Sequence, residues 1–366
     1  MNLPPMDVAA RAGRLRERLD GGGCHALLVT SLTDIRYLTG FTGSAGLLLV
    51  LPDDLVFVTD GRYREQAGEQ LDAAGVSARL EVHASVDGQR GALAAAARGI
   101  GRLGLQAASV SWAAARRYGD SWFPEAELVP TEGLVERLRE VKDDGEVARI
   151  TAAATIADAA LAEVRPMLAD RPTERVFGLE LDGAMRRRGA DDVSFETIVA
   201  SGPNGAKPHA RPGRRRIVEG DLVVLDFGAL LDGYHSDMTR TVVVGEPSPT
   251  QQRMLEVVAR SQSAGVAAVA PGVACADVDR TCRDVIAEAG WADAFVHGTG
   301  HGVGLQIHED PRVSATATGT LQPGHVVTVE PGVYLPEHGG VRIEDTVVVT
   351  ATGCRTLTAA PKTTSL

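Results

Sequence analysis

The chain has 366 residues, more than one ordinary core holds, so two domains are expected. Apolar residues make up 44% and charged residues 23%, the balance of a globular protein in water. With 37 basic against 48 acidic residues the net charge is −11, which argues against nucleic acid or an anionic membrane as a partner. No stretch approaches the roughly 18 apolar residues of a membrane span. The opening MNLPPMDVAARAGRLRERLD lacks the apolar core of a secretory signal. Cys24, Cys275, Cys282 and Cys354 form no C-x-x-C pair, which fits reduced structural thiols and a cytoplasmic location.

In chain order, HALLVT reads as a buried strand and SLTDIRYL as a short helix capped by Ser31 or Thr33. GLLLVLPDDLVFVTD reads as a hairpin about Pro52-Asp53-Asp54. GRYREQAGEQLDAAG is a helix with Asp60 at its start and Gly75 at its end. RLGLQA and SWAAARRYG continue the alternation, so residues 1–140 are expected to form an α/β domain. The charged segment Lys142 to Gly145 breaks the pattern. An amphipathic helix follows, with Val147, Ile150, Ala154, Ile156 and Leu161 on its apolar positions. Residues 141–366 add helices near 145–168, 173–188, 250–270 and 275–290. Between and after them lie strand-rich pieces that form hairpins, which predicts an α+β domain with a mostly antiparallel sheet and helices on one face.

Chemistry concentrates in those strands. Asp226 ends the apolar run of VVLDFGA, and Asp237 opens the returning strand in HSDMTRT; a hairpin would bring the two together. Glu330 ends VVTVE before Pro331-Gly332, and Glu344 sits within VRIEDTVVV. Carboxylates that interrupt apolar strands are costly to bury without a partner, and a cation is the commonest one. His301 lies in the glycine-rich HGTGHGVGLQIHED. Its spacing from His297 mimics a zinc protease helix, but Gly298 and Gly300 oppose a helix and no Glu follows His297. The same string is not a G-x-G-x-x-G loop, and Asp226-Phe227-Gly228 has no kinase catalytic loop beside it. Four carboxylates and one imidazole suit Mn²⁺, Co²⁺, Fe²⁺ or Zn²⁺. Five ligands exceed what one open tetrahedral ion needs and suit two ions about 3.5–4 Å apart, the equipment of amide or ester hydrolysis.

The order Asp226, Asp237, His301, Glu330, Glu344 resembles the pita-bread metallopeptidases, family M24, the group of methionine aminopeptidase, prolidase and aminopeptidase P. The resemblance runs through DFGALLDGYHSDMTRT, HGTGHGVGLQIHE, VEPGVY and GGVRIED. LVTSLTDIRYLTGFTGSAG and FVTDGRYREQA resemble the creatinase/prolidase N-terminal domain. The resemblance implies that domain for residues 1–140 and a pita-bread catalytic domain with a curved sheet for residues 141–366. It implies two divalent ions per chain, Mn²⁺ first, on those five ligands, with Glu330 doubling as general base. His209, in SGPNGAKPHA, and His308 would face the substrate and steady the tetrahedral intermediate. His297, matched with His308 as the pair around His301, would be a further substrate contact, and Tyr234 and Arg342 would shape the prolyl side of the cleft.

Read alone, His209 is a loop histidine, Tyr234 packs beside its turn, and Arg342 serves equally as a salt bridge to an acid. The basic run Arg211 to Arg216 is a solvated turn or the fringe of the cleft. The implied activity is an Xaa-Pro aminopeptidase acting on short peptides with proline in second position, with prolidase as the alternative. The implied assembly is a homodimer. A non-catalytic peptide-binding protein on the same fold, or a metal-free creatinase, would not need the full ligand set kept here.

Overall fold

HALLVT folds as strand β1 (Ala26–Val29), fully buried near the middle of a six-stranded sheet in the computed structural model, which describes residues 3–362. β2 (Leu47–Val50) and β3 (Leu55–Thr59) form the expected hairpin, and β2 runs antiparallel to β1. β4 (Arg79–Val82), β5 (Arg102–Gln106) and β6 (Glu127–Thr131) add parallel pairings, so the sheet is mixed, in the order β4-β3-β2-β1-β5-β6. Ser31 caps the helix Leu32–Thr39 by accepting from Asp34 N, and left-handed Gly40 ends it. The helix read from Asp60 opens as a 3₁₀ turn, Gly61–Tyr63, and continues as Arg64–Ala73. Residues 6–139 form one compact unit, its core drawn from Leu28, Leu49, Val56, Leu103 and Trp122.

A second unit runs from Glu140 to the end of the described chain and takes in the N-terminal residues up to Pro5. Asp143 and Glu146, from the charged segment, form a capping box that starts the helix Asp144–Val164. The helices Glu174–Arg187, Pro249–Ala268 and Cys275–Glu288 follow. Strands β7 (Asp192–Val193), β8 (Ile198–Ser201), β9 (Leu222–Phe227), β10 (Ala229–Leu231), β11 (Tyr234–His235) and β12 (Met238–Val243) come before the third helix. After the fourth come β13 (Gly300–Gly302), β14 (Glu309–Val313), β15 (Val326–Val329), β16 (Gly332–Leu335), β17 (Gly339–Arg342), β18 (Asp345–Val349) and β19 (Cys354–Thr356).

All named pairings in this unit are antiparallel, but they divide into four sheets, β11-β10-β7, β12-β9-β8, β14-β13-β15-β18-β19 and β16-β17. The stretch between Asp226 and Asp237 is therefore more than a turn. It makes its own hairpin, β10 and β11, closed by Asp232 and Gly233 with φ of 47° and 74°. β9 and β12 then pair with Asp226 opposite Thr239. Two apolar cores form. One packs the helices Asp144–Val164 and Glu174–Arg187 on β8, β9 and β12; the other packs Pro249–Ala268 and Cys275–Glu288 on β15, β17 and β18. Among the described residues no helix is long and apolar enough to cross a membrane.

Candidate metal centre

Strand parity decides where the acids point. Val223, Leu225 and Phe227 of β9 enter the first helical core, so Asp226 faces the other side. Val327 and Val329 of β15, and Val347 and Val349 of β18, enter the second core. Asp345 shares their parity and meets Gln262 of the helix Pro249–Ala268, with Nε2 to Oδ2 at 2.9 Å. Glu344, one residue back, is turned away from that helix. Asp226 thus lies on the face opposite the first helical core, and Glu344 on the face opposite the second.

The side chains converge. Ligating atoms of Asp237, His301 and Glu344 all lie within 4.8 Å of one another. His301 Nε2 stands 3.5 Å from Asp237 Oδ2 and 3.6 Å from Glu330 Oε1. Its Nδ1 is 3.0 Å from Gly302 O, and a carbonyl only accepts, so Nδ1 carries the proton and Nε2 offers its lone pair to the acids. Arg342 binds the remaining pair: Nη2 donates to Asp226 Oδ2 at 2.6 Å, and Nε lies 3.9 Å from Glu330 Oε2. Thr239 Oγ1 donates to Glu344 Oε2 at 2.7 Å, and Thr328 Oγ1 to Glu330 Oε1 at 3.4 Å.

Left to themselves, Asp237, Glu330 and Glu344 are pushed toward their protonated forms. Burial pushes Glu330 up to about 8, against the pull of Arg342. Burial, then the neighbouring Glu344 and Asp226, raises Asp237 well above the carboxylate range; burial, then Glu330 and Asp226, does the same to Glu344. Burial lowers His301 to about 3, so its ring is neutral at ordinary pH. Asp226 Oδ1 and Glu344 Oε1 are buried without a hydrogen-bond partner. Unpartnered buried oxygens, crowded carboxylates and a neutral imidazole fit a divalent cation of oxygen and nitrogen preference.

The cage opens into a cavity of about 660 Å³ that His209, His297, His308 and Arg342 also line. His209 and His308 are exposed; the His308 ring stands edge-on to that of His301, 4.4 Å between centroids. His297 donates from Nδ1 to Gly298 O at 2.7 Å, so its Nε2 accepts from the Tyr334 hydroxyl at 2.8 Å. That hydroxyl in turn accepts from Arg342 Nη1 at 2.8 Å. Burial, aided by Arg342, lowers His297 to about 4 and keeps it neutral.

Tyr234 is elsewhere. Its buried hydroxyl donates to Glu146 Oε1 at 3.0 Å, and it does not line the cavity. The β10–β11 hairpin packs against the helix Asp144–Val164 and carries Tyr234 there, which corrects the expectation of a substrate contact. Tyr334, not Tyr234, is the tyrosine that touches cavity-lining residues, His297 and Arg342. Its signal was the P-G-V-Y string: a Cβ on Gly332 would lie 2.6 Å from the Tyr334 hydroxyl, so the glycine leaves room for it. Of the basic run, Arg211 lines the cavity and Arg215 pairs with Asp221. Arg312 lines the cavity as well, and no motif pointed to it.

Residues 148–351 match the profile of metallopeptidase family M24, and residues 11–141 that of the creatinase/prolidase N-terminal domain. The chain belongs to metallopeptidase family M24. It is 42% identical to the uncharacterized peptidase YqhT of Bacillus subtilis (strain 168) over 349 residues, 95% of this chain and 98% of the relative. An Xaa-Pro dipeptidase from Bacillus anthracis superposes with a TM-score of 0.93 at 38% identity, covering 98% of this chain and 100% of that one. An X-Pro aminopeptidase from Thermotoga maritima MSB8 superposes with a TM-score of 0.88 at 32% identity, covering 97% and 100%. The M24 chain thus has the pita-bread fold behind a creatinase-type N-terminal domain, as its motifs implied, and is a metallopeptidase.

Proposed function

We propose that this M24 metallopeptidase cleaves the bond between an N-terminal residue and proline in short peptides. Two divalent ions, Mn²⁺ first, would be held by Asp226, Asp237, His301, Glu330 and Glu344. The observation that carries the reading is the cage itself, with two buried unpartnered carboxylate oxygens in a cavity that three further histidines line. Relatives named for Xaa-Pro dipeptidase and X-Pro aminopeptidase activity support the choice of bond.

Bound there, the ions would supply an acidified water and a polarised scissile carbonyl. The chain does the rest. Glu330, steadied by Thr328, takes the proton of the attacking water and passes it to the leaving nitrogen. His308 and His209 donate to the oxygen that gains charge in the tetrahedral intermediate. Arg342 orients Asp226 from behind and holds Tyr334 against His297. His297 then walls the cavity as a neutral ring.

A second reading, prolidase activity on Xaa-Pro dipeptides alone, is favoured by Arg312. Its exposed guanidinium lines the cavity and makes no hydrogen bond or ion pair among the described residues, so a dipeptide carboxylate would find a cation there. The test is a comparison of Xaa-Pro dipeptides with Xaa-Pro-Yaa tripeptides. The aminopeptidase reading expects cleavage of both at comparable kcat/KM. Cleavage of dipeptides only, lost in Arg312→Ala, would establish the prolidase reading, and full activity after exhaustive chelation would overturn both.

A further inference from the structure

The segment that carries His209 leaves β8 at Ser201 and ends at Gly213, and both stems are fastened to one carboxylate. Glu174, the first residue of the helix Glu174–Arg187, is completely buried and does not line the cavity. Its Oε1 accepts from Ser201 N at 2.9 Å, Ser201 Oγ at 2.7 Å and Asn204 Nδ2 at 3.0 Å. Its Oε2 accepts from Gly213 N at 3.0 Å and Asn204 Nδ2 at 3.1 Å. The backbone repeats the join: Glu174 N donates to Arg215 O and Arg175 N to Gly213 O, each at 3.0 Å. Arg215, whose ion pair is with Asp221, joins the same network with Nη1 donating to Ser201 Oγ at 2.6 Å.

Between the stems the loop meets the site. Pro208 O accepts from Arg342 Nη1 at 3.3 Å, and His209 lines the cavity. Only an ionised carboxylate offers two acceptor oxygens and no donor to this many N–H and O–H groups. A glutamine would turn an NH₂ toward donors on one side and leave at least one of them buried and unpartnered.

We propose that Glu174 is a positioning residue, which closes the stems of loop 202–212 and so sets where His209 stands over the cage. This rests on the peptidase reading for its kinetic arm only. In Glu174→Gln, amide exchange over residues 202–213 should quicken about tenfold or more while β15 and β18 keep their rates. Hydrolysis of an Xaa-Pro dipeptide should lose about 10- to 100-fold in kcat/KM, the usual cost of a supporting partner. In a His209→Ala background the same substitution should cost almost nothing further, because its effect passes through His209. An equal loss in both backgrounds, or unchanged exchange over 202–213, overturns the proposal. Should Glu174→Gln fail to fold, Asn204→Ala loosens the same clamp from the loop side and must shift both readouts in the same direction. A wild-type protein without peptidase activity would sink the functional reading, while exchange would still decide the clamp.

Discussion

Arg342 shows how one side chain can organise a site without being a ligand. Two expectations stood open for it, a salt bridge to an acid or a contact with substrate. Its guanidinium pairs with Asp226 rather than with nearby Glu344, whose Oε2 is taken by Thr239. It also donates to Thr239 Oγ1, Tyr334 and Pro208 O, in all four acceptors that a planar fork satisfies and a point charge does not. Arg342→Lys should therefore lower kcat/KM about 10- to 100-fold and weaken Mn²⁺ binding, with unchanged circular dichroism. Tyr334→Phe should cost less, since it cuts the hydroxyl's links to His297 and Arg342 but leaves the Arg342–Asp226 pair in place. A lysine variant with wild-type turnover and metal content would show that charge alone suffices at this position.

At the scale of elements, parity made the cage legible and tertiary packing hid the rest. Asp226, Asp237, Glu330 and Glu344 stand out in sequence because each breaks an apolar run, and parity turns Asp226 and Glu344 away from the apolar neighbours that enter the cores. The PDD hairpin and the capped helices were legible for the same reason: their signals are local. Tyr234 was not, because nothing local says that β10 and β11 form a separate hairpin against the helix Asp144–Val164. Arg312 was not, because a cation's lack of a partner is visible only in space. The join of β17 to the 3₁₀ turn Gly202–Ala206 is also tertiary. There a Cβ on Gly340 would lie 1.9 Å from Gly205 O. Gly340→Ala should destabilise the protein by about 1–3 kcal/mol, read as a lower Tm in thermal unfolding. An unchanged Tm would mean that the two segments part without cost.

For the whole molecule, the cage makes stability depend on pH. Burial lifts Glu330 from 4.5 to about 8, so over that range the folded chain keeps a proton that the unfolded chain has lost. Stability from this group is therefore lost as pH rises through the window. His301, His297 and His325, lowered from 6.5 to about 3, about 4 and about 4, act oppositely, and their effect ends about one pH unit above 6.5, where the unfolded imidazoles have lost their protons. Between about pH 7.5 and 8 the chelated protein should lose Tm, and Mn²⁺ should abolish the slope by replacing the protons. A flat profile under chelation, or the same slope with Mn²⁺, would contradict this account. The cage also has a history in time. Asp226 and Glu344 are about 120 residues apart, so at roughly 5–20 residues per second the ribosome delivers the last carboxylate of the cage about 6 to 24 s after the first. A nascent chain holds its early carboxylates open to water until synthesis is nearly complete, which makes cation capture an act of the finished polypeptide.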